Sequence, residues 1–297
     1  MPLRLNVSAL VLASAGALLA AALFFGGGSD DADVLPVALA SLFLAGAAVV
    51  AMLSGLLPRP RLDGTGLAFL GLLGGFAVWS GLSVWWSIAP DLSWNLFNRE
   101  LAYVAFAVAG LYVGAVVPGS LRAVATGLPV ALGAVIAWAL LGKVFPSLVA
   151  EGGHVARLRS PVGYWNALAL LGAVAVVLGL WLATDAGRSR AARVASAVLV
   201  YGAIVAVVLT YSRSGIALMA LAALAWVVVG RAAFETLAVL ALAAAAAAPV
   251  LVYAFLSPGI TDDGQAYSVR VHDGALFAPV VLAAAGCGSD ATTRSDA

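Results

Sequence analysis

Charged residues are scarce in this 297-residue chain. They make up 10% of it, whereas 64% of the residues are hydrophobic and the mean hydropathy is +1.08. Ordinary soluble domains are about 45–50% apolar, so the composition excludes a soluble globular protein and predicts an integral membrane protein. The net charge of +1 leaves no clustered basic excess, which excludes nucleic acid as a partner.

Cysteine and histidine are almost absent. The single cysteine, Cys287, excludes an internal disulfide and a multi-cysteine metal site. The two histidines, His154 and His272, are far apart in sequence, so a histidine metal site has little support. We therefore expect neither a metal nor a cofactor.

Long apolar runs dominate the rest of the chain. A helix needs about 20 mostly apolar residues to cross the hydrocarbon core of a bilayer. Nine segments meet this requirement: 7–25, 34–57, 66–88, 101–117, 123–141, 167–183, 194–210, 215–229 and 236–256. A tenth run, at 275–285, is too short to count. The pattern predicts an all-α polytopic membrane protein with nine to ten transmembrane helices, in which residues 1–256 form the membrane domain and 257–297 an external segment with a short tail.

The basic residues predict the orientation of the chain. Arginines at the N-terminus and in every second loop place those loops in the cytoplasm by the positive-inside rule. These arginines are Arg4, Arg59, Arg61, Arg122, Arg188, Arg190, Arg193 and Arg231. The sequence thus predicts a multi-pass protein of the cytoplasmic (inner) membrane with a cytoplasmic N-terminus.

Some basic residues lie in the outward loops, against this rule. They are Arg99, Lys143, Arg157, Arg159, Arg213 and Arg270. Orientation pressure disfavours basic residues there, and phosphate binding is the commonest reason for keeping them. The alternative is a set of ion pairs with Glu100, Glu151 and Asp262 or with lipid headgroups. If the spans 167–183 and 194–210 form a hairpin, then Arg157, Arg159 and Arg213 lie at one membrane face.

The turn LTYSRSG, at 209–215, gives Arg213 little freedom to reach water. Ser212, Ser214 and Gly215 would place unpaired backbone N–H groups at the start of the next helix, where the helix dipole favours an anion. An arginine beside such a helix start is a candidate diphosphate cradle. The alternative is that Ser212 caps the helix while the Arg213 side chain snorkels to the interface.

The segment SPVGYWNALALL, at 160–171, has polar and aromatic residues just before an apolar span. Asn166 is expected to be the N-cap of a helix that begins at Ala167. Tyr164 and Trp165 fit an interfacial aromatic belt, and stacking on a sugar or packing against a polyprenyl chain is the functional alternative.

Several outward residues are candidates for acid-base chemistry. Asp91 and Glu100 precede the fourth span, and Glu151 and His154 lie in the longest outward loop. Nothing in the sequence gives any of them a partner, so the catalytic residue is left unassigned. Arg99 and Glu100 are expected to begin the next helix and to pair locally.

These segments resemble the O-antigen ligase and polymerase superfamily. The resemblance rests on RLRSPVGYWNALALL at 157–171, LTYSRSG at 209–215 and WSIAPDLSWNLFNRELAY at 86–103, and it extends over residues 79–231. Family members are polytopic membrane glycosyltransferases that move glycans from a polyprenyl-diphosphate carrier. Their arginines at the positions matching Arg157 or Arg159 and Arg213 hold the carrier diphosphate.

The resemblance implies a metal-independent transfer in which an acceptor hydroxyl displaces the diphosphate at the anomeric carbon with inversion. Fixed guanidinium groups stabilise the negative charge that develops on the leaving group. The implied partners are a polyprenyl-diphosphate-linked glycan, membrane lipid and an unknown acceptor. The implied site consists of Arg157, Arg159, Arg213 and Arg99, supported by Tyr164, Asn166, Ser212 and Ser214. A ligase and a glycan polymerase are equally compatible with these residues.

The chain departs from the family near its C-terminus. Family members have a large external segment with a catalytic histidine there, and the surroundings of His272 do not match that motif. The chain is therefore expected to be a truncated member whose catalytic apparatus is incomplete. A non-catalytic transporter or lipid-binding membrane protein is the alternative from another class; charged residues buried within the spans would favour transport, and none lies in the nine predicted spans.

Overall fold

A computed structural model of the chain describes residues 7–24, 31–149 and 155–294, with side chains over 12–24, 35–149 and 155–286. All regular elements in these ranges are helical. They are α1 (Val7–Phe24), α2 (Asp31–Leu53), α3 (Gly64–Ser83), α4 (Pro90–Val116), α5 (Ser120–Val144), a short 3-10 turn (Pro146–Leu148), α6 (Trp165–Ala183), α7 (Arg190–Leu209), α8 (Arg213–Val229), α9 (Ala233–Leu256), α10 (Pro258–Thr261) and α11 (Tyr267–Arg294). Eight of the described helices are long and apolar enough to cross a membrane. This confirms the predicted all-α polytopic membrane fold.

Each of the nine predicted spans coincides with one of the helices α1 to α9, and the start of α4 differs most from the expectation. Helix α4 begins at Pro90 rather than near residue 101. Proline is favoured at the first helical position, and Asp91 in the first turn complements the helix dipole. The polar segment before the fourth span therefore belongs to the helix.

The chain divides into two compact units, Met1–Val124 and Ala125–Ala297. In the first unit, α4 packs against both α2 and α3. The ring of Phe97 fills the space beside Gly81, where a Cβ atom would lie 3.0 Å from it. The Tyr112 hydroxyl donates a hydrogen bond to the carbonyl oxygen of Pro58 (3.3 Å). Close packing in this unit thus depends on α4.

Helices α6 and α7 form the centre of the second unit. A Cβ atom on Gly172 would collide with Val207, and one on Gly179 would lie 2.7 Å from Val200. The earlier residue of α6 thus meets the later residue of α7, and the later residue of α6 meets the earlier one. The two helices therefore form an antiparallel hairpin. The start of α6 and the end of α7 therefore lie at the same end of this unit.

Helix α11 is longer than the apolar run that the sequence shows. Its first part, Tyr267–Gly286, is one of the eight helices able to span a membrane. Phe277 is fully buried and stacks on Tyr253, and the Tyr201 hydroxyl donates to the carbonyl oxygen of Val281 (2.9 Å). Part of the segment 257–297 is thus a helix that packs against α7 and α9.

Glu100 lies well inside α4 and is only 3% exposed. Neither carboxylate oxygen has a hydrogen-bond partner among the described residues. The expectation that Arg99 and Glu100 begin a helix and pair locally is therefore wrong, because the helix begins earlier and neighbouring residues on a helix do not face each other. A buried carboxylate without a partner is costly in an apolar helix.

Candidate functional site

The loop before α6 is joined to the end of α7. The backbone N–H of Leu158 donates to the carbonyl oxygen of Leu209 (3.0 Å), and the Leu158 side chain is buried. Arg157 and Arg159 flank this anchor, the first exposed and the second half-buried. The hydrogen bond therefore holds both arginines beside the turn that leads into α8.

That turn reverses the chain within a few residues. Tyr211 has a φ of 55°, a left-handed conformation that residues other than glycine seldom adopt. Its ring packs edge-on against Phe255, and its hydroxyl donates to the carbonyl oxygen of Thr261 (3.3 Å). Burial is the main cause that raises the pKa of the Tyr211 phenol above its ordinary value. The phenol is thus neutral at pH 7 and adds no negative charge here.

Arg213 is the first residue of α8, and its side chain is exposed. The close approach of Gly215 to Ala169, which a Cβ atom on Gly215 would prevent, brings the start of α8 against the start of α6. Arg157, Arg159 and Arg213 therefore lie at one end of the helices, as a hairpin requires. We call this region, made of residues 155–164 and 210–215, the arginine end.

The two serines of the turn, Ser212 and Ser214, lie at the start of α8. Ser212 is the N-cap of α8: its hydroxyl accepts a hydrogen bond from the Gly215 N–H (3.0 Å) and lies 3.2 Å from the Ser214 hydroxyl. The Ser212 N–H donates to the Thr210 hydroxyl (3.2 Å), so the expectation that the Ser212 and Gly215 amides are unpaired is wrong. The amides of Arg213 and Ser214 have no carbonyl of α8 four residues before them, so their N–H groups still point out of the helix start. Ser212 is buried, and Ser214 is exposed.

A pair of aromatic residues lies beside Arg157. Its guanidinium lies over the Trp165 ring, 5.1 Å from the centroid, and the Tyr164 ring packs against the same Trp165 ring with 5.1 Å between centroids. The Asn166 side-chain amide donates to the Tyr164 hydroxyl (2.6 Å). The prediction that Asn166 caps α6 is wrong, because the helix already begins at Trp165 and Tyr164 holds the cap position without a side-chain bond. Asn166 instead orients Tyr164.

The three arginines of the arginine end differ from the other outward basic residues. Within the described residues, no hydrogen bond or ion pair engages the guanidinium groups of Arg157, Arg159 and Arg213. Lys143 donates to two backbone carbonyls, and Arg99 and Arg270 also have interactions of their own. The ion pairs that the sequence offered as an alternative are thus not seen for these three arginines in the described part of the chain.

The other candidate residues lie elsewhere or outside the description. Arg99 belongs to α4 in the first unit, where it is half-buried. Glu151 and His154 lie outside the described residues, and His272 is exposed on α11. Among the described side chains, no three of His, Cys, Asp and Glu are grouped so as to hold a metal ion.

An apolar groove of about 810 Å³ runs between α5, α7 and α11. Its lining on α5 extends from Thr126 to Val144, which is about 27 Å at about 1.5 Å per residue. That length is close to the hydrocarbon thickness of a bilayer, about 30 Å. Leu141 and Val144 line the end nearest Lys143, and Arg188, paired with Asp185 at 3.3 Å, lies at the other.

Sequence reasoning missed the contacts that Lys143 and Asp263 make with the arginine end. Both bond to the backbone of Ala156, from positions 13 and 107 residues away. No local pattern marks such contacts. No protein-family model, curated protein or solved structure matches the chain, so the family resemblance rests on the motifs alone.

Proposed function

We propose that the chain binds the diphosphate of a polyprenyl-linked glycan at the arginine end. The observation that carries this proposal is the grouping of Arg157, Arg159 and Arg213 at one end of α6, α7 and α8, with no described acceptor for their guanidinium groups. Guanidinium groups bind phosphate oxygens through two parallel hydrogen bonds, and the start of α8 adds two outward-pointing amides. A diphosphate has the charge and the acceptors for this arrangement.

The apolar groove supports a lipid-linked ligand rather than a free anion. Its end at Leu141 and Val144 lies next to Lys143, whose ammonium group bonds to the residue before Arg157. A ligand with its phosphates at the arginine end would thus have an apolar channel for its chain nearby. A polyprenyl diphosphate combines both parts.

In this proposal the protein transfers the glycan in the manner of an O-antigen ligase or polymerase, in the cytoplasmic membrane with the arginine end facing outward. The arginines would stabilise the diphosphate as it leaves the anomeric carbon. The cation–π contact with Trp165 limits the directions that the Arg157 guanidinium can take. Fixed charges of this kind favour the transition state without having to reorganise.

A titration with a short analogue tests the proposal. Purified protein in detergent is titrated with farnesyl diphosphate and, as the matched control, with farnesol. We expect the diphosphate to bind at least about tenfold more tightly, because one charge-assisted hydrogen bond contributes about 1.5–3 kcal/mol. The preference should fall as salt rises. Equal affinity for the two compounds would contradict a diphosphate site.

Transport is the second candidate, and Glu100 favours it. Ionisable residues buried in membrane helices are rare and often mark ion or substrate pathways. Glu100 was not counted among span residues on sequence grounds, because α4 was expected to begin after it. Its burial without a partner in the described residues is the observation that a transporter would explain.

A further inference from the structure

Lys143, in the last turn of α5, is bonded to the backbone of two distant segments. Its ammonium group donates to the carbonyl oxygens of Ala156 (2.5 Å) and Ile260 (3.0 Å). These residues belong to the loop before α6 and to α10. Lys143 therefore ties the segment with Arg157 to the start of the C-terminal region.

Asp263 holds the same residue from the other side. Its carboxylate accepts a hydrogen bond from the backbone N–H of Ala156 (2.6 Å). Ala156 is only 2% exposed, and both of its backbone polar groups are bonded to charged side chains. Such charge-assisted bonds are about twice as strong as neutral ones. Together, Lys143, Ala156 and Asp263 form what we call the Ala156 clamp.

The segment that carries Asp263 is itself fixed in place. Gly274 brings α11 against the backbone of Lys143 and Val144, where a Cβ atom would lie 2.5 Å and 2.7 Å from their carbonyl oxygens. The Asp273 carboxylate accepts a hydrogen bond from the Gly259 N–H (2.8 Å). The clamp is therefore built on the packed start of α11 and not on a free tail.

We propose that Lys143 and Asp263 are positioning residues that fix the segment carrying Arg157 and Arg159 for binding of a polyprenyl diphosphate. The inference rests on the proposed function. Neither residue needs to contact the ligand: each acts through Ala156, whose peptide groups precede Arg157 directly. The segment that carries Ile260 and Asp263 is in this view part of the site.

Substitutions at Asp263 separate positioning from a direct charge effect. Asp263→Ala removes the acceptor for the Ala156 N–H, and it should weaken binding of farnesyl diphosphate by about tenfold. Asp263→Asn keeps an oxygen acceptor without the charge, so it should restore most of the affinity. Asp262→Ala, in the same exposed loop, is the matched control and should bind like the wild type. Lys143→Met should resemble Asp263→Ala, with Lys143→Arg closer to the wild type.

Hydrogen exchange of the peptide 155–160 measures the protection of the Ala156 amide by the clamp in the absence of ligand. We expect slow exchange in the wild type and Asp263→Asn, and faster exchange in Asp263→Ala, with unchanged thermal unfolding showing that the variants remain folded. Lost protection with unchanged affinity would overturn the positioning role, and so would equal losses of affinity in Asp263→Ala and Asp263→Asn. A further outcome is that the wild type shows the expected exchange pattern and still does not bind farnesyl diphosphate. In that case the clamp exists, but the proposed function fails and the positioning role fails with it.

Discussion

Replacing Arg213 by alanine is expected to weaken binding of farnesyl diphosphate by about tenfold to a hundredfold. The side chain is exposed at the first position of α8, and no described residue accepts a hydrogen bond from it. One charge-assisted contact to phosphate contributes about 1.5–3 kcal/mol, which gives this range of affinity. Isothermal titration of the purified protein in detergent measures it.

Two further variants sharpen the result. Arg231→Ala is the matched control, because Arg231 is an exposed arginine just beyond the other end of α8 and should not affect binding. Arg213→Lys keeps the charge but cannot form two parallel bonds, so its affinity should lie between those of the wild type and Arg213→Ala. Equal losses of affinity in the Arg213→Ala and Arg231→Ala proteins would mean that the net charge of the protein causes the effect, and they would contradict a local site.

Replacing Glu100 by methionine is expected to stabilise the protein by about 1–3 kcal/mol. An unpartnered buried polar group costs about this much, and methionine is an unbranched side chain of similar length that needs no hydrogen bond. Thermal unfolding in detergent measures the change. If Glu100 serves a transport pathway, the residue is kept at the expense of stability, which is common at functional sites.

Glu235→Met provides the comparison of opposite sign. Glu235 is exposed in the first turn of α9, where a carboxylate complements the helix dipole. Its loss should lower stability slightly, by about 0.3–1 kcal/mol. A lower unfolding temperature for Glu100→Met would mean that the carboxylate has a stabilising partner, and it would remove the structural reason for a transport role.

The helices followed from the sequence because their apolar runs are long and the membrane demands backbone hydrogen bonds within each segment. Boundaries were less accurate where polar residues are helical. Helix α4 includes the polar segment from Asp91 to Glu100, and α11 includes Arg270 and Asp273, so hydropathy alone shortens both. A buried carboxylate was overlooked for the same reason.

Part of the arginine end could also be predicted from the sequence. A hairpin places Arg157 and Arg213 at one end, and the short turn limits Arg213 to the helix start. The hydrogen bonds of Lys143 and Asp263 to Ala156 could not be predicted from the sequence. They join segments that are distant in sequence, and their partner is the backbone of an alanine, whose methyl side chain marks no polar site. The cap of α6 was misplaced because the first helical bond runs from the Leu168 N–H to the Tyr164 carbonyl oxygen, and this start has no side-chain cap to mark it in the sequence.

Photolabelling tests the central claim, that a polyprenyl diphosphate binds at the arginine end, most directly. The probe is a farnesyl diphosphate analogue with a diazirine in its first isoprene unit, and labelled peptides are identified by mass spectrometry. We expect labels within 155–166 and 210–215, and we expect excess farnesyl diphosphate, but not farnesol, to prevent them. Labels confined to the opposite end of the hairpin, around Arg188 to Arg193, or labels that excess farnesyl diphosphate does not reduce, would contradict the claim.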